Sequence, residues 1–358
     1  DQTRGWFYTL HAIGTLVFGK EAYKNVISNG LVLDKIGQKM SKRLGNAIDP
    51  FKTLDKFGPD ATRWYMISNS NPWDNLKFDI EGIAEVQRKF FGTLHNTYSF
   101  FSLYANIDNF DPKKEDLIPY QKRTELDKWI ISELNSLILT VDKSYENYEP
   151  TKSCRAISDF VQEKLSNWYV RLSRRRFWKG EYGQDKIAAY QTLLECLITV
   201  SKLGAAIAPF YMDHLYKDLK IDEKSSVHLT DFPKVNNELI DAELESQINT
   251  ARNLTSLALS LRKKEQIKVR QPLKKLIIPA KNKSEKKRIR SIIEQLKSEI
   301  NIKEVELLDD ENQLLVKDIR PNFKTLGPRF GKNIKLITKI ISELSSKQIN
   351  EIEEKGEL

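Results

Sequence analysis

The sequence predicts a multidomain chain, in which the end of an α/β domain precedes an all-α helical bundle and a small α+β module. Three observations predict this order. Residues 1–72 combine an apolar helical run, an aliphatic strand pattern and a glycine-flanked loop, residues 73–235 carry long helical patterns between short turns, and residues 236–358 mix strand and helix patterns with dense lysine. We therefore place domain boundaries near residues 72 and 235.

The first domain is predicted element by element. Residues 5–18 are apolar nearly all round, which favours a buried helix, and residues 24–33 are aliphatic and β-branched, which favours a strand. A polar loop follows to Asp49. Asp49-Pro50 resembles a helix cap followed by a first-turn proline, so a short helix is expected to Phe57, and a second helix is expected over 61–69.

The bundle and the last module follow from longer patterns. Pro209 is expected to kink or end the last bundle helix. The bundle helices are predicted over 80–105, 123–147, 152–178 and 185–219. The last module is predicted to contain helices over 238–264, 284–300 and 333–344, a strand over 273–279, and paired strands over 303–309 and 312–319.

Composition narrows the class of protein. The 358 residues are 40% hydrophobic and 30% charged, with a net charge of +9, which favours a folded, soluble protein with polyanionic partners. The two cysteines, Cys154 and Cys196, and four scattered histidines predict neither a disulfide framework nor a structural zinc site. No apolar run is long enough to span a membrane and no signal peptide is visible, so we expect a cytoplasmic protein. Because the chain starts at Asp1 with an ordered pattern, we expect a fragment.

The polar loop contains the string Lys39-Met40-Ser41-Lys42-Arg43. Three cations so close together repel one another unless an anion neutralises them, and a triphosphate is such an anion. Lysine suits point contacts to phosphate oxygens, and flanking glycines allow the loop to open and close. A second phosphate-like string, GTLVFGK at 14–20, is followed by glutamate and lies at a helix end, so we interpret it as chance.

Lys39 to Arg43 resembles the KMSKS loop of class I aminoacyl-tRNA synthetases, with Arg43 in place of the last serine. This resemblance implies a Rossmann-like catalytic domain that uses ATP with Mg²⁺. It implies that Lys42 stabilises the charge on departing pyrophosphate, and that Lys39 and Ser41 help to hold the phosphates. Met40 and Arg43 are counted among the ATP-site residues, although the role of Arg43 is open.

Further strings resemble the isoleucyl-tRNA synthetases. Asp1 to Tyr8 is similar to the segment that borders the aminoacyl-adenylate in that family, which implies polar contacts from Asp1 and Gln2. Residues 29–34 are similar to the strand that lines the adenine site, which implies that the backbone of Gly30, Leu31 and Val32 reads the base. Residues 322–328 resemble the eukaryote-like subtype, and the lack of cysteine clusters argues against the subtype with a C-terminal zinc finger.

Residues 167–178 interleave aromatic and basic side chains on one helix and resemble the signature helix of the anticodon-binding domain. Arginine forks bind phosphate, and aromatic rings offer stacking surfaces for unpaired bases. Arg174, Arg175 and Arg176 cover three helix faces, so one or two of them are expected to contact RNA, the alternative for each being a solvated or ion-paired arginine. The candidate tRNA-binding residues are Arg171, Arg174, Arg175, Arg176 and Trp178.

The resemblance covers nearly the whole chain and implies an isoleucine–tRNA ligase whose partners are tRNA(Ile), isoleucine and ATP, expected as a monomer. The second phosphate motif of the class, the amino-acid pocket and the editing domain are absent from these residues. We therefore expect the fragment to be inactive in isoleucyl-adenylate formation by itself. Two alternatives stay open: a valyl or leucyl ligase fragment, and a non-catalytic tRNA-binding protein derived from a synthetase.

Overall fold

The computed structural model describes residues 3–179, 181–219, 226–280, 283–309 and 331–342, with residues 321–323, 326, 344, 348–349 and 352. The chain divides into two compact units, Asp1–Glu245 and Ser246–Leu358. Among the described residues, no helix is both long and apolar enough to cross a membrane.

The α-helices are α1 Tyr8–Phe18, α2 Pro50–Phe57, α3 Pro59–Asn69, α4 Ile80–Val86, α5 Gly92–Ile107, α6 Glu125–Glu146, α7 Pro150–Asp159, α8 Arg171–Trp178, α9 Gln184–Gly204, α10 Pro209–Leu219, α11 Ala242–Lys264, α12 Lys283–Ser291, α13 Ile293–Ile300 and α14 Ile334–Ser342. The strands are β1 Val32–Leu33, β2 Leu76–Lys77, β3 Leu273–Ala280 and β4 Ile302–Asp309.

The first unit begins with α1 and a short parallel pair, β1 with β2, in which Val32 faces Leu76. The predicted helix start at Asp49-Pro50 is confirmed, because the Asp49 carboxylate accepts the Phe51 N–H at 2.9 Å and Pro50 occupies the first turn of α2. The predicted strand over 24–33 shortens to two residues. A ladder forms only where a neighbouring strand supplies partners, and Leu76–Lys77 is the pairing segment.

The prediction that residues 5–18 form a helix is confirmed, but the prediction that this helix is buried is wrong for the described residues. Leu16 is 85% exposed and Phe18 is 72% exposed, and Gly14 is the buried residue of α1. An apolar pattern shows which surface avoids water, but it does not supply the surface that covers it.

The bundle comprises α4 to α10 and holds the main hydrophobic core of the first unit. Trp129 and Leu134 of α6 are fully buried, as is Tyr190 of α9. The predicted helix over 152–178 is continuous but widens into π-type turns over Phe160–Val170. The predicted interruption at Pro209 is confirmed, since residues 205–208 separate α9 from α10.

The second unit contains α11, a parallel pair of strands and two connecting helices. β3 and β4 lie parallel, with Leu273 opposite Ile302, and α12 and α13 form the crossover between them. β4 pairs with β3, and the predicted pairing of 303–309 with 312–319 stays a prediction. Residues 312–319 lie outside the described residues.

Candidate functional site

The string of basic residues lies in a loop that runs from Asp34 to Asn46, which we call the basic loop. It begins directly after β1, where the Asp34 carboxylate Oδ1 accepts the N–H groups of Ile36 at 3.1 Å and Gln38 at 2.8 Å. The Asp34 N–H in turn donates to the Gln38 carbonyl at 2.9 Å. Gly37 makes this turn with a positive φ of 90°, a conformation that glycine adopts without strain.

The loop folds back on the strand that precedes it. Lys39 forms an isolated antiparallel bridge with Leu33, so the basic string and the predicted adenine-site strand lie side by side. Met40 differs from its basic neighbours, because its side chain lines an apolar cavity of about 470 Å³ together with Val32 and Phe78. Met40 therefore anchors the loop to the domain, while the cations on either side remain at the surface.

Ser41 starts a short turn that carries the other two cations. Its N–H donates to Asn46 Oδ1 at 2.9 Å, and its Oγ accepts the Leu44 N–H at 3.2 Å. Lys42–Leu44 then form one 3₁₀ turn, which ends at Gly45 with a φ of 68°. The Ser41 hydroxyl thus caps the turn that presents Lys42.

The electrostatics of the basic loop favour an anion. Lys39, Lys42 and Arg43 are exposed, and no carboxylate lies within ion-pair distance of them in the described part of the chain. Asp34 is the acidic group of the loop, and its carboxylate already accepts several bonds. The Gln38 N–H and then the Asn46 amide hold the pKa of Asp34 below its usual value. Lys39, Lys42 and Arg43 are therefore left without a counter-charge by the described residues.

The predicted adenine-site residues lie at the edge of β1. Leu31 and Leu33 direct their carbonyls to the N–H groups of Leu76 and Phe78, both at 2.9 Å. Because a parallel strand uses alternate residues for one neighbour, the N–H and C=O of Val32 point to the opposite edge. Asp1 and Gln2, also predicted for this site, lie outside the described residues.

Gly30 has a packing role that the sequence did not reveal. A Cβ built on Gly30 would lie 2.1 Å from the Asp74 carbonyl oxygen, and the Gly30 N–H donates to the Pro72 carbonyl at 2.8 Å. Only glycine allows this approach of two backbone segments. The need for glycine at position 30 is therefore explained by the contact with residues 72–74.

The predicted RNA-binding residues of α8 separate into two groups. Arg174, Arg175 and Trp178 are exposed on the last turns of the helix, and the Trp178 ring is 53% exposed. Arg171 lies half-buried, with its guanidinium 5.3 Å from the centre of the Trp168 ring and its Nε donating to the Asn167 carbonyl. Two arginines and an indole thus form an exposed surface suited to phosphate and base contacts.

Arg176 points the other way. Its Nη1 and Nη2 each donate to the Asp127 carboxylate at 2.8 Å, and its Nε donates to Asp185 at 3.0 Å. The Asp127 side chain is fully buried and that of Arg176 is 16% exposed. We therefore correct the sequence-based assignment of Arg176. Arg176 is an ion-paired arginine of the core, which was the alternative given for each of the three arginines, and it is not part of the candidate RNA-binding surface.

The sequence interpretation missed Asn46 as a residue of the site. Its side chain contacts Ser41, Asp34 and the Lys39 carbonyl, so it reaches both halves of the basic loop. The available signal was local: an aspartate before a glycine turn and an asparagine after a glycine are residues that bond to nearby backbone. Within the described residues, no group of three His, Cys, Asp or Glu side chains could hold a metal ion.

Comparisons with known proteins agree with this geometry. Residues 1–79 match the family described as tRNA synthetases class I (I, L, M and V). Residues 127–278 match the anticodon-binding domain of tRNA ligase. The first match contains the basic loop and the second contains α8.

The sequence relatives are longer proteins. The chain is 57% identical to the isoleucine–tRNA ligase of Cytophaga hutchinsonii, over 99% of this chain and 32% of that protein. It is 56% identical to the isoleucine–tRNA ligase of Bacteroides thetaiotaomicron, over 99% of this chain and 31% of that protein. For the isoleucine–tRNA ligase of Thermus thermophilus, the identity is 42% over 93% of this chain and 32% of that protein. The chain thus spans about a third of the length of the curated relatives that it matches.

A solved structure supports the fold. The LeuRS of Agrobacterium radiobacter K84, in a ternary complex with tRNA and LeuAMS, matches with a TM-score of 0.50 and 20% identity, over 66% of this chain and 28% of that one. At that identity the likeness concerns the fold alone.

Proposed function

This chain belongs to the class I aminoacyl-tRNA synthetases, and we propose that it is the part of an isoleucine–tRNA ligase that supplies the ATP-phosphate loop and the tRNA-binding bundle. The proposal rests on isoleucine–tRNA ligases that align over 99% of the chain. The reaction joins the isoleucine carboxylate to the α-phosphate of ATP with release of pyrophosphate, and then transfers the isoleucyl group from the adenylate to tRNA(Ile) with release of AMP.

One structural observation supports the role of the basic loop. Lys39, Lys42 and Arg43 are exposed within five residues, without a carboxylate counter-charge among the described residues, and Lys39 bridges Leu33 at the edge of β1 that faces away from β2. As pyrophosphate leaves, negative charge builds up on its oxygens, and a lysine ammonium placed there lowers the energy of that state. We assign this role to Lys42, with Lys39 and the turn capped by Ser41 helping to hold the phosphates.

The β1 edge supports a site for the adenine ring. The N–H of Val32 faces away from β2, so the backbone offers one donor to a flat ring, whereas the Val32 C=O lies where the bridge between Leu33 and Lys39 pairs the strand with the basic loop. Such recognition needs the strand conformation of Val32 and uses no atom of its side chain. Mg²⁺ is expected to accompany ATP as part of the substrate.

The test uses a hybrid ligase, in which residues 1–358 replace the aligned segment of the Cytophaga hutchinsonii isoleucine–tRNA ligase. Isoleucine-dependent ATP–pyrophosphate exchange is measured for the hybrid, for its Lys42→Ala variant and for Lys52→Ala, an exposed lysine of α2. We expect Lys42→Ala to lower kcat by about 100-fold or more, as removal of one transition-state donor does. We expect Lys52→Ala to stay within about twofold of the hybrid. Equal kcat for the hybrid and Lys42→Ala, or an inactive hybrid, would contradict the proposal.

The bundle is proposed to bind tRNA(Ile) through Arg174, Arg175 and Trp178. Arg175→Glu is expected to weaken tRNA binding by the 358-residue chain about tenfold at low salt and to reduce the dependence of affinity on salt. Lys143→Glu on α6 makes the same charge change elsewhere on the bundle and is the matched control. Equal losses for both variants would show a general charge effect and remove α8 from the proposal.

The alternatives remain distinguishable with the same chain. A valyl or leucyl origin predicts tighter binding of tRNA(Val) or tRNA(Leu) than of tRNA(Ile). A non-catalytic tRNA-binding protein predicts tRNA binding together with a Lys42→Ala hybrid that is as active as the hybrid itself.

We further propose that residues 246–358 form a small α+β module, since α11, α13, β3 and β4 share a core of Ala258, Ile300 and Ile302. Their dense lysine favours a supporting contact with tRNA phosphates.

A further inference from the structure

We propose that Asn46 is a positioning residue for the ATP-phosphate loop, and that its side chain joins Asp34 in a clasp that sets the shape of the basic loop. This inference rests on the proposed function of the loop. Asn46 lies three residues beyond Arg43 and carries no charge, so it is not itself a phosphate ligand of the lysine type.

The Asn46 amide makes three contacts with the loop. Its Oδ1 accepts the Ser41 N–H at 2.9 Å. Its Nδ2 donates to Asp34 Oδ2 at 2.9 Å and to the Lys39 carbonyl at 3.3 Å. One side chain thus fixes the backbone on both sides of Met40. It thereby also fixes the backbone positions from which the basic side chains on either side extend.

Asp34 completes the clasp from the other end. Its Oδ1 binds the N–H groups of Ile36 and Gln38, and its Oδ2 binds Asn46. The two ends of the loop, residues 34 and 46, are therefore joined through side chains. Bonds to an ionised carboxylate are stronger than those between neutral groups, which suits a loop with little buried apolar surface.

The geometry requires an amide at position 46. The Ser41 N–H needs an acceptor, whereas the Asp34 carboxylate and the Lys39 carbonyl both need donors, and only Asn or Gln offers an acceptor oxygen together with two donor hydrogens on a second atom. An aspartate at 46 would place a second carboxylate against Asp34. An alanine would remove all three contacts.

This logic predicts that a reciprocal exchange restores the clasp. In Asp34→Asn/Asn46→Asp, the new amide at 34 donates to the carboxylate at 46, and its oxygen still accepts from Ile36 and Gln38. The carboxylate at 46 still accepts the Ser41 N–H. Only the 3.3 Å contact to the Lys39 carbonyl, the longest of the three, is lost.

The single changes cannot recover in this way. Asn46→Asp sets two carboxylates against each other. Asp34→Asn sets two amide nitrogens against each other, and turning the Asn46 amide over would aim its NH₂ at the Ser41 N–H. Recovery in the double variant alone is therefore specific to the clasp and would not follow from a general effect on stability.

Trypsin reports the shape of the loop, because it cleaves after Lys39, Lys42 and Arg43. Initial rates at these bonds are measured by mass spectrometry on the folded 358-residue chain. We expect Asn46→Ala and Asn46→Asp to be cleaved about tenfold faster than wild type, and the reciprocal exchange to return within about twofold of it. Asn147→Ala removes an exposed asparagine contact at the end of α6, to the Lys143 carbonyl at 2.8 Å, and should leave the rates unchanged.

The second measurement links the clasp to catalysis. In the hybrid ligase, Asn46→Asp should raise KM for ATP or lower kcat in pyrophosphate exchange by about tenfold, and the reciprocal exchange should restore both. Unchanged trypsin rates in Asn46→Asp, or no recovery in the double variant, overturn the clasp. Faster cleavage with unchanged exchange kinetics overturns its positioning role. Failure of the proposed function is separate, because it shows as full activity of Lys42→Ala whatever the trypsin rates.

Discussion

Replacing Arg176 by methionine should destabilise the bundle strongly without acting on the exposed surface of Arg174, Arg175 and Trp178 that we propose for tRNA binding. The Asp127 carboxylate is fully buried and accepts two Arg176 bonds at 2.8 Å, together with the Tyr169 hydroxyl at 2.6 Å and the Thr124 hydroxyl at 2.7 Å. Removing one partner of a buried ion pair costs about 3–5 kcal/mol. Because neutral donors remain on Asp127, we expect the lower end of that range, which for a unit of this size lowers Tm by about 6–12 °C.

Thermal unfolding followed by circular dichroism measures this effect. Arg175→Met, the exposed neighbour, is the matched control and should change the free energy of unfolding by less than about 0.5 kcal/mol. The double variant Asp127→Asn/Arg176→Met should recover much of the loss, since no buried charge is left without its partner. A Tm for Arg176→Met equal to that of Arg175→Met would refute the assignment of Arg176 to the core.

The same pair predicts a pH dependence. Burial raises the pKa of Asp127, but the Arg176 guanidinium and the Tyr169 and Thr124 hydroxyls outweigh it, and the net shift is downward. A carboxyl with a lowered folded-state pKa contributes stability that is fully present above its unfolded pKa of about 3.9 and lost as pH falls through the folded value. Wild-type Tm should therefore fall below about pH 4 more steeply than that of the double variant.

Two further substitutions test packing, one beside the candidate site and one in the second unit. Gly30→Ala should cost about 1–3 kcal/mol in urea unfolding, because the added Cβ meets the Asp74 carbonyl; an unchanged unfolding midpoint would contradict this close approach. Arg262→Met should speed hydrogen exchange of the β3 and β4 amides by at least about tenfold, because the buried guanidinium binds four backbone carbonyls, those of residues 268, 271, 300 and 301; wild-type exchange rates would rule out this role.

Much of the fold could be predicted from local sequence. The cap at Asp49, the break at Pro209 and strand β3 each follow from residue types that act on their own neighbourhood. The exposure of α1 could not be predicted, since an apolar surface does not identify its partner. The pairing of β4 with β3 also depends on a crossover that the strand sequences do not specify.

The candidate site likewise has features that the local sequence predicts and features that depend on contacts between distant residues. The basic string is evident as a charge pattern, and its exposure follows from its polarity. Which of three consecutive arginines points inward depends on Asp127, 49 residues away from Arg176, and no periodicity reveals it. Asn46 was missed for a related reason: its function lies in simultaneous bonds to Ser41 and Asp34, which exist only once the loop has folded.

The measurement that tests the central claim most directly is steady-state aminoacylation of tRNA(Ile) with isoleucine by the hybrid ligase, because it requires both the ATP-phosphate loop and the tRNA-binding bundle. We predict that the hybrid forms isoleucyl-tRNA, that Lys42→Ala lowers kcat by about 100-fold, and that Arg175→Glu raises KM for tRNA with little change in kcat. A hybrid that forms no isoleucyl-tRNA, or one whose kcat is indifferent to Lys42, would contradict the account.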